Sequence, residues 1–167
     1  MNSPAQTITF RETVDPADPE SIHRLTTSCG LFYPEEIAVA RELVEERLIR
    51  GTASGYYFLF AQRDGSIVGY TCFGPIPMTS GRFDLYWIAV LKGLQGSGIG
   101  KHLMKRTESR VREMNGRRIY VETSSREIYE PTHRFYHACA YRTEAVLKDF
   151  YAEGDDKVIY LKDIICR

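Results

Sequence analysis

Apolar and polar residues alternate from Thr7 to Val14, and this period of two predicts a half-buried β-strand. Runs that favour β-structure predict the other strands, which are Tyr56 to Gln62, Ser66 to Gly74, Arg82 to Val90, Arg117 to Thr123, Ala145 to Tyr151 and Lys157 to Lys162. Asp64-Gly65 joins the second and third segments and is typical of a hairpin turn. Gly154, Asp155 and Asp156 predict a second hairpin turn between the last two strands.

Other segments carry apolar residues at helical spacing. Pro34 suits the first position of a helix, and the residues that would form its buried face are Ile37, Ala40, Leu43, Val44 and Leu48. A second apolar stripe consists of Ile99, Leu103, Met104, Val111 and Met114, and Asn115-Gly116 is typical of a helix end. Shorter helices are predicted near Ser21 to Ser28 and from about Pro131 to Cys139.

The resulting element order is β-α-α-β-β-β-α-β-α-β-β. This order predicts an α+β fold with a single mixed, mostly antiparallel central sheet flanked by helices. No repeat and no internal linker interrupts the pattern. We therefore expect residues 1–167 to form a single domain, a length that allows a real hydrophobic core.

Charge and cysteine usage narrow the functional classes. Lys+Arg and Asp+Glu both number 22, so no overall basic field favours nucleic acid or an anionic membrane, and neither is an expected partner. The first ten residues do not resemble a signal peptide, and no run approaches the roughly 20 apolar residues of a membrane span. The four scattered cysteines contain no Cys-x-x-Cys pair, which argues against a zinc ribbon and a disulfide scaffold. A cytoplasmic location is expected.

The segment "QGSGIGK", Gln95 to Lys101, lies between a predicted strand and a predicted helix. A Walker loop would need Gly at 95 and Ser or Thr at 102, where this chain has Gln95 and His102. A dinucleotide fingerprint would need Gly in place of Lys101. What fits is a helix N-terminus, whose free N–H groups and partial positive charge favour a pyrophosphate. A tight turn without a ligand is the alternative.

The segment "IAVLKGLQGSGIGKHLM" resembles the acetyl-CoA-binding signature of the GNAT superfamily of N-acyltransferases. Gln95, Gly98 and Gly100 fill its fixed positions. The later segment "HRFYHACAYRTEAVL" resembles the family's FYxxxGF segment, with Ala140 in place of the usual Gly. The element order matches as well, so the resemblance covers nearly the whole chain.

The resemblance implies an acyl-CoA N-acyltransferase fold and an acyltransferase enzyme. Its expected reaction moves an acetyl group from acetyl-CoA to a primary amine of a small molecule or peptide, by direct attack in a ternary complex. Two alternatives are a protein N-terminal or lysine acetyltransferase and a non-catalytic acyl-CoA-binding module. Dimers are common in such folds, so a homodimer is one expectation for the assembly.

The same resemblance implies how the cofactor is held. Backbone N–H groups would bind the pyrophosphate, from Gly96, Ser97, Gly98, Ile99, Gly100 and Lys101. Ile88, Ala89 and Val90 would pair with the pantetheine arm as an extra strand would. An N–H group near Val90 would point at the thioester carbonyl and stabilise the oxyanion. The Lys101 side chain is expected either to add charge near the phosphates or to lie in solvent.

Three side chains are the candidates for proton transfer. Tyr136 matches the family's general acid, which protonates the departing thiolate; packing of α-helix against sheet is its alternative role. An alkyl ammonium with a pKa near about 10 must lose a proton before it attacks, and Glu122 and Asp84 match base positions of different family members. Both carboxylates could instead face solvent or form ion pairs, and the reaction could need no strong base.

Two other groups of residues have the pattern of a possible site. His133 and His137 have the spacing of a metal pair, but no third ligand is obvious, so no metal is predicted. Phe32, Tyr33 and Glu35 lie where the family's acceptor specificity is usually shaped, and a helix cap is their alternative role. Members that acetylate protein N-termini usually carry Asn where this chain has Tyr129. The resemblance therefore gives less support to a protein N-terminus as the acceptor.

Overall fold

The computed structural model describes residues 7–164, in which seven strands form one sheet in the order β1-β2-β3-β4-β5-β7-β6. The strands are β1 Thr9–Arg11, β2 Tyr57–Arg63, β3 Ser66–Pro75, β4 Arg82–Val90, β5 Arg118–Ser124, β6 Arg142–Ala152 and β7 Asp155–Asp163. The helices are α1 Asp18–Cys29, α2 Pro34–Arg50, α3 Ile99–Glu113 and α4 Glu130–Ala138. The predicted element order and fold class are confirmed.

The sheet is mixed because β4 and β5 run parallel. The pairs β1–β2, β2–β3, β5–β7 and β6–β7 are antiparallel. The parallel pairing of β4 with β5 extends from Arg82, opposite Arg118, to Asp84, opposite Tyr120.

The structure departs from the predicted pattern at three places. The first strand covers only three residues and ends at Arg11, whose guanidinium donates to both carboxylate oxygens of Asp18 at the start of α1. Leu48, predicted on the buried face of α2, is 37% exposed. The last turn lies at Glu153 and Gly154, so that Asp155 and Asp156 belong to β7.

The chain divides into two compact units. Unit 1 comprises the residues up to Phe73 together with Trp87–Thr107. Within it, alternate residues of β2 are buried on opposite faces. Phe58 and Phe60 belong to a core cluster with residues of α1 and α2, while Leu59 and Ala61 belong to a second cluster with the start of α3.

Unit 2 comprises Gly74–Tyr86 and the residues from Glu108 onwards. In β5, Ile119, Val121 and Thr123 are buried, whereas Tyr120 and Ser124 are partly exposed and Glu122 is exposed. We call the side of this sheet that bears Tyr120, Glu122 and Ser124 the open face of unit 2. That the two units form a single domain stays a prediction.

The described residues test only some of the expectations drawn from composition. Within residues 7–164, no helix is long and apolar enough to cross a membrane. Cys29, Cys72 and Cys139 carry thiols, whereas Cys166 lies outside the described residues. The same holds for residues 1–6, on which the expectation about a signal peptide partly rests. The cytoplasmic location stays a prediction.

Candidate active site

The predicted phosphate-binding segment of unit 1 is a turn that leads into α3. Gly96 and Gly98 have φ values of 80° and 92°, and a Cβ added to either would meet no atom within 4 Å. Positive φ strains a residue that carries a Cβ. The two glycines are therefore required by backbone conformation rather than by close packing, and the space beside their backbone is open.

Gln95 holds this turn to the end of β4. Its side-chain amide donates a hydrogen bond of 3.2 Å to the Val90 carbonyl. Ser97 makes a local contact, because its hydroxyl donates to the Leu94 carbonyl at 2.6 Å. Ile99 then begins α3, and the first N–H groups of a helix have no acceptor within the helix. The N–H groups predicted to bind phosphate thus belong to a turn with a fixed backbone.

The segment predicted to bind the pantetheine arm, Ile88 to Val90, forms the end of β4. These residues lie beyond the stretch of β4 that pairs with β5, which runs from Arg82 to Asp84. On the other edge, the N–H group of the next residue, Leu91, donates to the Val68 carbonyl at 2.9 Å. Ala89 is buried, and Ile88 and Val90 are partly buried.

In unit 2, the structure places the two predicted carboxylates on one face. Asp84 is opposite Tyr120 in the parallel pair, and Glu122 is the next residue of β5 on the same side. Burial raises the pKa of Asp84 to about 6, and the negative charge of Glu122 contributes to the rise. Asp84 therefore titrates close to neutral pH, as a general base should.

Glu122 forms an ion pair whose partner the sequence did not identify. Lys157 is opposite Ser124 in β7, so it lies on the open face diagonally across from Glu122. Its ammonium is 2.7 Å from a Glu122 carboxylate oxygen and 3.7 Å from the centre of the Phe150 ring. One alternative weighed for Glu122, an ion-paired carboxylate, is thus what the structure shows.

Tyr136 lies on the other face of the unit 2 sheet. Its ring centre is 5.2 Å from that of Tyr160, and Tyr160 is opposite Val121 in the buried row. Tyr136 is only 4% exposed. Burial, followed by the nearby Cys139, Tyr160 and Tyr129, raises the pKa of its hydroxyl well above the ordinary tyrosine value. The hydroxyl is therefore protonated at neutral pH and can act as a donor.

The end of α4 fixes the backbone of Tyr136. The N–H of Tyr141 donates to the Tyr136 carbonyl at 3.0 Å, and the N–H of Ala140 donates to the His137 carbonyl at 2.9 Å. This pair of bonds defines a Schellman motif, in which the residue at the position of Ala140 adopts a left-handed conformation. Ala140 does so with φ of 63°, where the family resemblance would expect Gly.

The remaining candidates have structural roles in the described residues. The His133 ring nitrogen Nδ1 is 2.7 Å from the Tyr160 hydroxyl, and His137 packs edge-on against the Tyr160 ring. No group of three His, Cys, Asp or Glu residues within 7–164 is arranged to hold a metal ion. The N–H of Tyr33 donates to Glu36 at 2.7 Å, as a helix cap would. Lys101 and Glu35 are exposed.

Comparison with known proteins identifies the family. The model of the acetyltransferase (GNAT) family matches residues 20–141. A crystal structure from Desulfovibrio desulfuricans, of a protein assigned to the GNAT family of acetyltransferases, is 46% identical. It superposes with a TM-score of 0.94 over 95% of this chain and 100% of that chain.

Two further relatives extend the comparison. An uncharacterized N-acetyltransferase of Methanocaldococcus jannaschii is 30% identical over 106 residues, which are 63% of this chain and 65% of that protein. The match thus spans about 65% of the length of that curated relative. An aminoglycoside 6'-N-acetyltransferase complexed with coenzyme A is 20% identical. It has a TM-score of 0.78 over 95% of this chain and 98% of that chain, a likeness that shows the fold alone.

The family match and the crystal structure both confirm the resemblance inferred from the glycine segment and the Tyr136 segment. They also confirm the predicted enzyme class, an acyltransferase. The chain belongs to the GNAT family of acetyltransferases.

Proposed function

We propose that this protein transfers an acetyl group from acetyl-CoA to a primary amine of a small molecule or peptide, by direct attack in a ternary complex. The observation that carries the proposal is Asp84, a half-buried carboxylate whose pKa is raised to about 6. Such a group can attract an alkyl ammonium and take its proton as nitrogen bonds to the acetyl carbon and loses its basicity.

The glycine turn fits a cofactor with a pyrophosphate. The backbone of Gly96 and Gly98 borders open space, so a bulky anion could approach the N–H groups that begin α3. Gly96 to Lys101 would bind the phosphates, and Ile88 to Val90 would bind the pantetheine arm. The cofactor would supply the acetyl thioester. The fold neighbour complexed with coenzyme A supports this assignment.

Asp84 would serve as the base. An amine with a pKa near about 10 is almost fully protonated at pH 7, so it cannot attack until a neighbouring group takes a proton. An ordinary Asp, with a pKa of about 3.9, accepts that proton less readily than one near 6. Asp84 is better suited than Glu122, whose charge is already paired with Lys157.

Tyr136, on the opposite face of the sheet from Asp84, would assist the departure of the thiolate. The raised pKa of its hydroxyl keeps the proton on oxygen at neutral pH. A thiol has a pKa of about 8.5, so complete proton transfer from Tyr136 to the thiolate would be uphill. We therefore expect Tyr136 to act mainly as a hydrogen-bond donor to the sulfur as negative charge develops on it.

The proposal is tested by two measurements on the purified protein. Calorimetric titration with acetyl-CoA measures cofactor binding, and thiol release measures turnover with a panel of polyamines, aminoglycosides, amino acids and short peptides. Binding with turnover on small amines or peptides supports the proposal. Absence of binding at millimolar acetyl-CoA contradicts it.

The same panel separates the alternatives. Binding without turnover on any amine would favour the non-catalytic module. Acetylation confined to whole proteins, detected by mass spectrometry, would favour a protein acetyltransferase.

Tyr136→Phe tests the acid within the same assay. We expect unchanged acetyl-CoA affinity and roughly 100-fold slower thiol release, the usual size of such a contribution. Tyr70→Phe is the matched control, since it removes a fully buried tyrosine hydroxyl from the core of unit 1. Unchanged turnover in Tyr136→Phe would remove Tyr136 from the mechanism.

A further inference from the structure

Lys157 is an enclosed cation on the open face of unit 2, where it contacts one of the two candidate bases. Its side chain is 13% exposed, whereas that of its partner Glu122 is 50% exposed. Burial on the lysine side strengthens the attraction, whereas solvent screens the exposed side of Glu122. The ammonium therefore offsets part of the charge of Glu122.

Aromatic rings fix the position of Lys157. Its ammonium lies 3.7 Å from the centre of the Phe150 ring and 5.7 Å from that of Tyr151. Cation–π contacts of this kind are stabilising within about 6 Å. The two rings pack edge to face with centres 5.1 Å apart. Lys157 is thus held between Glu122 and an aromatic pair.

The aromatic pair lies in an irregular part of β6 that is stabilised by hydrogen bonds. The β6–β7 register shifts between Leu147 and Ala152. The N–H of Asp149 donates to Asp156 at 2.9 Å, and the N–H of Gly154 donates to Asp149 at 2.7 Å. These bonds hold the bulge in one conformation, so the environment of Lys157 is built into the hairpin.

Lys157 affects the electrostatics of Asp84 through the groups that lie beside that carboxylate. On its own strand the neighbours on the same face are Arg82 and Tyr86, and on β5 they are Tyr120 and Glu122. The Arg82 guanidinium donates to the Ser80 carbonyl at 2.7 Å, and that of Arg118, two residues before Tyr120, is paired with Asp163 at 2.9 Å. A bare carboxylate at Glu122 would repel the charge of Asp84, and a neighbouring cation reduces that repulsion.

We infer that Lys157 is a positioning residue: it holds Glu122 in an ion pair and leaves Asp84 as the carboxylate open to the acceptor's ammonium group. The inference rests on the proposed function for the identity of the acceptor. The pairing itself rests on the 2.7 Å and 3.7 Å contacts of Lys157.

The test is a ¹³C NMR titration of the Asp84 carboxyl carbon, assigned by comparison with Asp84→Asn. It needs neither acceptor nor acetyl-CoA. In Lys157→Met, the uncompensated charge of Glu122 should raise the Asp84 pKa by roughly half a unit to one unit. Lys157→Arg keeps the cation and should titrate like the wild type. The double variant Glu122→Gln/Lys157→Met lacks both charges and should titrate at or below the wild-type value.

The outcomes distinguish an effect of the Glu122 charge from a change in the structure around Asp84. A rise in Lys157→Met that the double variant removes supports the inference. Equal titration of Lys157→Met and wild type overturns it, as does a rise that the double variant retains, because a structural cause would not depend on the charge of Glu122.

Turnover adds a second criterion. Glu122→Gln keeps the proton acceptor at Asp84, so its loss of thiol release should be far smaller than the roughly 100-fold loss expected for Asp84→Asn. A loss of about 100-fold, with Asp84 titrating normally, would make Glu122 the base and overturn the inference. A protein that titrates as expected but acetylates no amine overturns the proposed function and supports the pairing.

Discussion

The two units would take part in acetyl transfer through different parts of the chain. In unit 1, the candidate groups are backbone N–H donors around Gly96 and Gly98, and the Gln95 side chain serves to hold the turn. In unit 2, the candidate groups are the side chains of Asp84 and Tyr136. A backbone site depends on conformation, whereas a side-chain site depends on the charges and burial that neighbours supply.

The largest expected effect tests the side-chain site. Asp84→Asn removes the proposed base but keeps the size and polarity of the side chain. Turnover at pH 7 should fall roughly 100-fold. In the wild type, kcat/KM should rise with pH through about 6, where Asp84 ionises, and this limb should be absent from the variant. The measurement is thiol release between pH 5 and 9, with Asp15→Asn, the same change at a side chain that is 61% exposed, as the matched control.

Stability distinguishes a catalytic loss from misfolding. The folded pKa of Asp84 is raised from 3.8 to about 6, so folding favours its protonated form. Its contribution to the free energy of unfolding is present below pH 4 and is lost as the pH rises through 6. Asp84→Asn should therefore be at least as stable as the wild type at pH 7 in urea unfolding. Full turnover in this variant at every pH would exclude Asp84 as the base.

The next effect tests the backbone site. Gly98→Ala places a Cβ at φ of 92°, which strains the turn by roughly 1–2 kcal/mol. We expect acetyl-CoA affinity to fall about tenfold, the equivalent of 1.4 kcal/mol. Gly93→Ala is the control, because an added Cβ meets nothing within 4 Å there and no positive φ is required. If calorimetry gives equal affinities for the two variants, the conformation of the turn does not limit cofactor binding.

Local patterns predicted the parts of the fold that depend on local chemistry. Strand β4 runs from Arg82 to Val90 as expected, because the segment is rich in β-branched and aromatic residues. Pro34 begins α2 because its fixed φ suits a first helical turn. The turn at Gly96 and Gly98 was located for the same reason, since the conformation found there favours glycine over other residues.

The features of the site that the sequence did not predict depend on contacts between residues far apart in the chain. Glu122 and Lys157 are far apart in the chain, and only the β5–β7 register places them on one face. The raised pKa of Asp84 likewise depends on burial and on Glu122 in a neighbouring strand. The sequence identified both carboxylates as candidates, but it could not tell which one had a cation beside it.

The smallest expected effect asks whether backbone conformation also matters in unit 2. Ala140 adopts φ of 63° in the Schellman motif that ends α4, a conformation that glycine adopts without steric cost. Ala140→Gly relieves this strain but adds unfolded-state entropy. The net gain should be roughly 0.5–1 kcal/mol in the free energy of unfolding.

Urea denaturation measures that gain, and Ala138→Gly, in the last turn of α4, is the matched control. Ala138→Gly should lose stability by up to about 1 kcal/mol, because glycine is a poor helix former. Thiol release should be unchanged in Ala140→Gly, since the N–H of Tyr141 would still hold the Tyr136 carbonyl. A change in turnover would mean that the motif sets the position of Tyr136, and the contrast between a backbone site and a side-chain site would then no longer hold for unit 2.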